Sequence, residues 1–178
     1  MRGLRRREKI RSFPPIARRD ARVLVLGSMP GRRSLEARQY YAHRQNAFWR
    51  IVGELLGVDP LSPYAKRVRA LQASRIAVWD VLRSCTRTGS MDSAIDSATE
   101  IANDFSAFFR EHRAISHVFF NGAKAADSFR RNVLPGLHAS TLRYIRLPST
   151  SPANASVAYG RKRRAWRAIL KPAKGNRK

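Results

Sequence analysis

The chain has 178 residues, 43% of them hydrophobic, enough for one well-packed domain and too few for two. It carries 36 Lys and Arg against 12 Asp and Glu, a formal net charge of +24, an excess that points to a polyanion partner. The single cysteine, Cys85, excludes an internal disulfide framework, a four-cysteine iron-sulfur cluster and a cysteine-rich zinc site.

The charge is concentrated at the ends. Residues 1–22 hold nine basic and two acidic residues, and residues 161–178 hold nine basic and none acidic. No strongly apolar face accompanies these runs, so nucleic acid rather than a membrane is the expected partner, with binding that weakens as salt rises. No apolar run approaches the roughly 20 residues of a membrane span, and no signal-peptide core follows the N-terminal arginines. These features predict a soluble, cytoplasmic protein, and we expect it to be a monomer.

Taken in order, residues 1–20 read as a basic, flexible arm interrupted by Phe13, Pro14 and Pro15, with little claim to a core. Residues 21–171 form the domain, and residues 172–178 a basic tail. A strand over 23–26 stops at the turn 27–31 (GSMPG). A polar loop with two adjacent tyrosines follows, then an amphipathic helix over 47–56 ended by Gly57. Ser62 is placed as an N-cap with Pro63 at the first position of the next helix. A second strand is expected over 76–82, a loop over 84–94, and a helix over 98–112 with Ile101, Phe105, Phe108 and Phe109 on one face. A third strand (117–121), a helix (124–133), a fourth strand (142–147) and a last helix (159–170) complete the pattern.

Strands alternating with helices imply an α/β fold with a mostly parallel, four-stranded sheet covered on both faces. Ligands of such sheets sit at the carboxyl ends of the strands. Residues 27–31, 80–86, 121–122 and 149–154 should therefore converge. The GSMPGRRS segment lacks the spacing and lysine of a nucleotide-triphosphate loop, and no dinucleotide fingerprint is present. Ser28, His43 and Asp80 could be assembled into a triad on paper, but no nucleophile elbow accompanies them.

The runs LGSMPG, SL, YYAHRQNAFW, VWDVLRSC, GSMDSAI, VFFNGAKAA and LPSTSPANA together resemble the uracil-DNA glycosylase superfamily, nearest to its hypoxanthine (deoxyinosine) DNA glycosylase branch. The resemblance spans about residues 22–170. It implies a three-layer α/β/α sandwich, excision of deaminated bases from DNA, and no cofactor and no metal. A base-flipping enzyme needs a basic surface, an aromatic platform and a few groups that read a base edge, and the chain has all three.

The resemblance also implies roles. Asn46 is the catalytic group that holds the attacking water by its side-chain carbonyl; the alternative is a plain cap on the helix that follows. Tyr41 stacks on the flipped base or packs in the core, and Tyr40 and Phe48 read as core. His43 binds a phosphate or the departing base, or is structural. Gly27 shapes the base pocket. Ser28 stands where relatives carry Asn, Asp or Glu to activate water, and a serine needs a partner to act as a base. Asp80 and Asn121 read the base edge, or satisfy local backbone. Arg44 replaces the usual proline.

Ser149, Thr150, Ser151, Pro152 and Asn154 match the loop that grips the DNA backbone, here with Ala153 and Ala155 in place of a large wedge. Arg161, Lys162, Arg163 and Arg164 extend that surface. Asp92 and Asp96 read as helix-start or surface residues. No lysine has a case as a Schiff-base nucleophile, so no strand cleavage is expected. The rival readings are a non-catalytic nucleic-acid-binding protein on the same fold and a small-molecule α/β enzyme whose basic tails are incidental.

Overall fold

The computed structural model describes residues 8–137 and 141–174; the first seven residues of the arm and the last four of the tail lie outside them. The strands are β1 (Glu8–Arg11), β2 (Val23–Gly27), β3 (Ile76–Asp80), β4 (Leu82–Arg87), β5 (Ile95–Ala102), β6 (His117–Asn121) and β7 (Arg143–Leu147). The helices are α1 (Arg32–Ala37), α2 (Phe48–Leu56), α3 (Tyr64–Ala73), α4 (Phe105–Glu111), α5 (Ala123–Asn132), α6 (Tyr159–Trp166) and α7 (Leu170–Lys174).

Four strands form an all-parallel sheet in the order β3-β2-β6-β7. β2 and β3 are buried at every position, as strands covered on both faces must be, which is why they read as continuous apolar runs. On one side α4 and α5 pack through Phe105, Phe108 and Phe129 onto Trp79 of β3 and Phe120 of β6. The second helical layer is joined by ring contacts, Phe48 of α2 edge-on to Trp166 of α6 and Trp49 edge-on to Tyr64 of α3. The predicted three-layer α/β/α arrangement is present.

The stretch 76–82 is not one strand. β3 ends at Asp80, and the chain turns into β4, which belongs to a second, antiparallel sheet of order β1-β4-β5. The cause is local: Val81 N–H donates to the Gly27 carbonyl at 2.8 Å and Leu82 N–H to that of Ser28 at 3.1 Å, pulling the chain across the end of β2. Residues 84–87 of the expected 84–94 loop and the front of the 98–112 helix, through residue 102, are therefore strand. Ile101 fitted the helical period of the phenylalanines but lies in β5, where it is 42% exposed. The helix begins only at Phe105, where the Asp104 side chain accepts from Ala107 N–H at 2.9 Å.

The arm also differs from expectation over residues 8–16. β1 pairs with β4, and Ile16 exchanges two 2.8 Å backbone hydrogen bonds with Val78, closing the open edge of β3. Tyr40 Oη donates to the Pro14 carbonyl at 3.0 Å and Trp79 Nε1 to that of Phe13 at the same distance. These residues are held because an unpaired strand edge and two buried aromatic donors need partners. Pro63 is the cap of α3 rather than its first residue, and Ser62 makes no side-chain cap. Among the described residues no helix is long and apolar enough to cross a membrane.

Candidate active site

Parallel registers bring the strand ends level. Gly27 pairs with Asp80, Leu26 with Phe120, and Asn121 with Leu147, so the turn after β2, the Asp80 side chain, Asn121 and the loop after β7 meet at one edge of the sheet. Gly27 is there because nothing larger fits: a Cβ would lie 2.5 Å from Asp80 Oδ1 and 3.0 Å from Tyr41 Oη.

Asp80 is 3% exposed. Burial, then the charge of Asp92, pushes its carboxyl up to about 8, with Arg87 pulling the other way, so it is largely protonated at neutral pH. Its Oδ2 and the Tyr41 hydroxyl are both buried and have no hydrogen-bond partner among the described residues. Burial beside Asp80 likewise raises the Tyr41 phenol, which stays neutral. Tyr41 is held in the left-handed region at φ 54°, a conformation costing about 1–2 kcal/mol in a residue with a Cβ. Hydrogen bonds on both sides fix it there: Tyr40 N–H to Tyr64 Oη and Ala42 N–H to Ser34 Oγ, each 3.1 Å. One face of its ring stacks on Phe48 at 4.0 Å between centroids, which leaves at most the other for a base.

Asn46 Oδ1 accepts from Phe48 N–H at 2.9 Å and so caps α2; a carbonyl oxygen has a second lone pair, and that one is available to a water. His43 is exposed, its Nδ1 accepting from Gln45 N–H at 3.2 Å. It lines an outer hollow of about 750 Å³ with Arg33, Ala42, Arg44 and Gln45, a place suited to phosphate.

The second loop is braced from within. Asn121 Oδ1 accepts from Thr150 N–H at 2.8 Å and its Nδ2 donates to Thr150 Oγ1 at 2.9 Å, leaving the Asn121 amide one N–H and one lone pair for a ligand. The Thr150 carbonyl accepts from Ala47 N–H at 3.0 Å, joining this loop to α2. Thr150 is 1% exposed, so the expectation that it contacts DNA is replaced by a structural role. The hydroxyls of Ser149 and Ser151 accept from Ser151 N–H and Ala153 N–H, each at 3.2 Å, and so keep their own protons for donation. Asn154 donates to the Ser149 carbonyl, and Pro152 is exposed.

In the basic run Arg161 and Arg164 are exposed, whereas Arg163 is paired with Glu54 at 3.0 Å. Lys162, expected on the same surface, is buried, because the turn of α6 that presents Trp166 to the core presents Lys162 inward as well. Among the described residues no cluster of three or more His, Cys, Asp or Glu side chains is placed to hold a metal ion.

A family profile described as the uracil DNA glycosylase superfamily matches residues 14–171. The chain belongs to that superfamily. It is 34% identical over 162 residues to a hypoxanthine DNA glycosylase of Methanosarcina acetivorans, covering 90% of this chain and 98% of the relative. It is 37% identical over 120 residues to a hypoxanthine DNA glycosylase of Methanosarcina barkeri, covering 67% and 75%. A solution NMR structure of a candidate uracil DNA glycosylase from Methanosarcina acetivorans superposes with a TM-score of 0.79 at 32% identity, over 94% of this chain and 99% of the other.

One residue of this superfamily member escaped the sequence reading. Arg87, 3% exposed, donates from Nη2 to the Pro30 carbonyl at 2.7 Å and from Nε to that of Gly89 at 2.9 Å, while its Nη1 is unpartnered among the described residues. Asp92, expected at a helix start or on the surface, opens the 3₁₀ turn Asp92–Ala94 and is exposed.

Proposed function

We propose that this superfamily member is a monofunctional DNA glycosylase that hydrolyses the N-glycosidic bond of deaminated bases, hypoxanthine and uracil foremost and xanthine with them, and needs no cofactor. The observation that carries the reading is the pair of buried, unpartnered atoms, Asp80 Oδ2 and Tyr41 Oη, at the carboxyl edge of the sheet. Deaminated bases share a ring N–H beside a carbonyl. A protonated carboxyl both donates and accepts, and so matches that edge at two points.

The sugar passes through an oxocarbenium-like state, which calls for a held water on one side and stabilisation of the departing base on the other. Asn46 supplies the water contact through its second lone pair, Tyr41 offers its open ring face to the base, and Asp80 with the remaining capacity of Asn121 reads its edge. Arg161, Arg164 and the loop from Ser149 to Asn154 hold the backbone. One observation favours a non-catalytic nucleic-acid binder instead: Asn46 already serves as an ordinary cap.

Labelled duplexes carrying uracil, hypoxanthine or xanthine, incubated with the protein and treated with alkali, decide between them. Cleavage supports the enzyme; tight binding with no product from any lesion overturns it. Asn46→Asp keeps a good cap and Asn46→Ala removes it. If both retain the wild-type rate, Asn46 has no catalytic role.

A further inference from the structure

A base turned out of a duplex leaves a gap between two stacked neighbours, and an apolar side chain that enters the gap keeps those faces from water. The pocket and the gap are apart, so the group that fills the gap must stand beside the pocket and not in it. The second loop offers little for this purpose. Its exposed apolar side chains are Pro152, Ala153 and Ala155, none longer than a proline ring.

The connection between β4 and β5 offers more. Residues 89–93 (GSMDS) form an exposed run whose one large apolar side chain, Met91, is 54% exposed. A lone exposed methionine is ordinary on a protein surface, and it is the placement of this one that matters. Val81 N–H and Leu82 N–H donate to the Gly27 and Ser28 carbonyls, and further along β4 the buried Arg87 donates to the Pro30 carbonyl at 2.7 Å and to that of Gly89 at 2.9 Å. One guanidinium thus fastens the chain two residues before Met91 to the turn whose Gly27 abuts Asp80 and Tyr41.

The backbone around Met91 is held on both sides. Before it stands the Arg87 bond to Gly89, a residue at φ 81°, and after it the Met91 carbonyl accepts from Ala94 N–H at 3.0 Å. The side chain itself stands in solvent. An unbranched thioether with three rotatable bonds adapts to an irregular gap, and its sulfur makes favourable contacts with aromatic rings, which is what the faces of two bases present.

We propose that Met91 is the wedge of this protein, entering the base stack where the damaged nucleotide leaves it, with Arg87 as the residue that positions its loop at the rim of the pocket. The inference rests on the glycosylase reading above. A wedge acts on extraction of the base and not on hydrolysis of its bond. Its contribution therefore depends on how firmly the base is paired and stacked, and vanishes where there is no stack to fill.

The test is the single-turnover cleavage rate of full-length protein on hypoxanthine or uracil, in a fully paired duplex and in the same strand alone, with the thermal midpoint measured alongside. Met91→Ala should lower the duplex rate about 10- to 100-fold and leave the single-strand rate within about threefold, with an unchanged midpoint. Met91→Leu should restore the duplex rate, and Met91→Gln, of similar length but polar, should not. A second readout needs no turnover: the rise in fluorescence of 2-aminopurine placed beside the lesion, which reports unstacking on binding, should shrink in Met91→Ala. If the wild type cleaves only duplex, this readout decides. An unchanged duplex rate in Met91→Ala, an equal loss on both substrates, or an unchanged fluorescence rise overturns the inference and spares the glycosylase reading. So does a duplex-specific loss in Pro152→Ala that Met91→Ala does not share. A wild type inactive on every lesion overturns both.

Discussion

Asn121 and Thr150 hold each other through two hydrogen bonds, 2.8 Å from the Thr150 N–H and 2.9 Å to its hydroxyl, so the end of β6 and the second loop move as one piece. Because the Thr150 carbonyl also takes the Ala47 N–H, the same link reaches the start of α2 beside Asn46. Asn121→Ala leaves buried groups of Thr150 unsatisfied and should cost about 1–3 kcal/mol of stability. Denaturant melts measure this, and a loss under about 0.5 kcal/mol would show that the link carries no load.

Asp80 should make the protein less stable as pH rises. Its folded value of about 8 lies above the ordinary carboxylate value, so between these limits the folded state keeps a proton that the unfolded state has released. Stability then falls by about 1.4 kcal/mol per pH unit across that window and levels off above it. Asp80→Asn removes the titration. Urea melts at several pH values should show the wild-type slope steeper than that of the variant, and parallel slopes would contradict the buried, neutral carboxyl.

Gly27→Ala drives a methyl to within 2.5 Å of Asp80 Oδ1 and 3.0 Å of Tyr41 Oη. The pocket must give way, at about 1–3 kcal/mol, and the cleavage rate should fall with it. Wild-type rates in this variant would place the base elsewhere.

The basic residues should divide by exposure. Arg161→Ala and Arg164→Ala, both at exposed positions, should each weaken DNA binding and lower the slope of log affinity against log salt by about 1. Lys162→Ala, at a buried position, should leave that slope unchanged and lower the melting temperature. Deleting residues 1–7 removes four arginines, so it should flatten the slope without unfolding the protein. Deleting residues 1–20 also removes β1 and the Ile16 bridge and should destabilise the fold.

The parallel sheet was legible because its strands are short apolar runs bounded by Gly27, Asp80, Asn121 and Pro148, and runs of that kind are what two covered faces require. The antiparallel sheet was not. β4 and β5 carry Arg87, Asp96, Thr99 and Glu100, whose places are set by tertiary partners: Glu100 is gripped by Lys124 and Arg131, and Thr99 Oγ1 accepts from Thr86 N–H. No local pattern announces such pairings. In the same way Gly27, Tyr41 and Asp80 were nameable from their motifs, but the bond of Arg87 to the Pro30 carbonyl spans two segments. A reading of neighbouring residues treats such an arginine as surface, whereas it is 3% exposed.

The segment from Phe13 to Ile16 also bears on the order in which the chain assembles. The carbonyl of Phe13 is claimed by a tryptophan 66 residues downstream, and Ser12 meets Asn103 across 91 residues. During synthesis, Ser12 and Phe13 therefore meet these partners only after the chain has been made through Trp79 and Asn103. Closure of so long a loop should come late, slow refolding, and leave the β3 edge open to self-association in the interval.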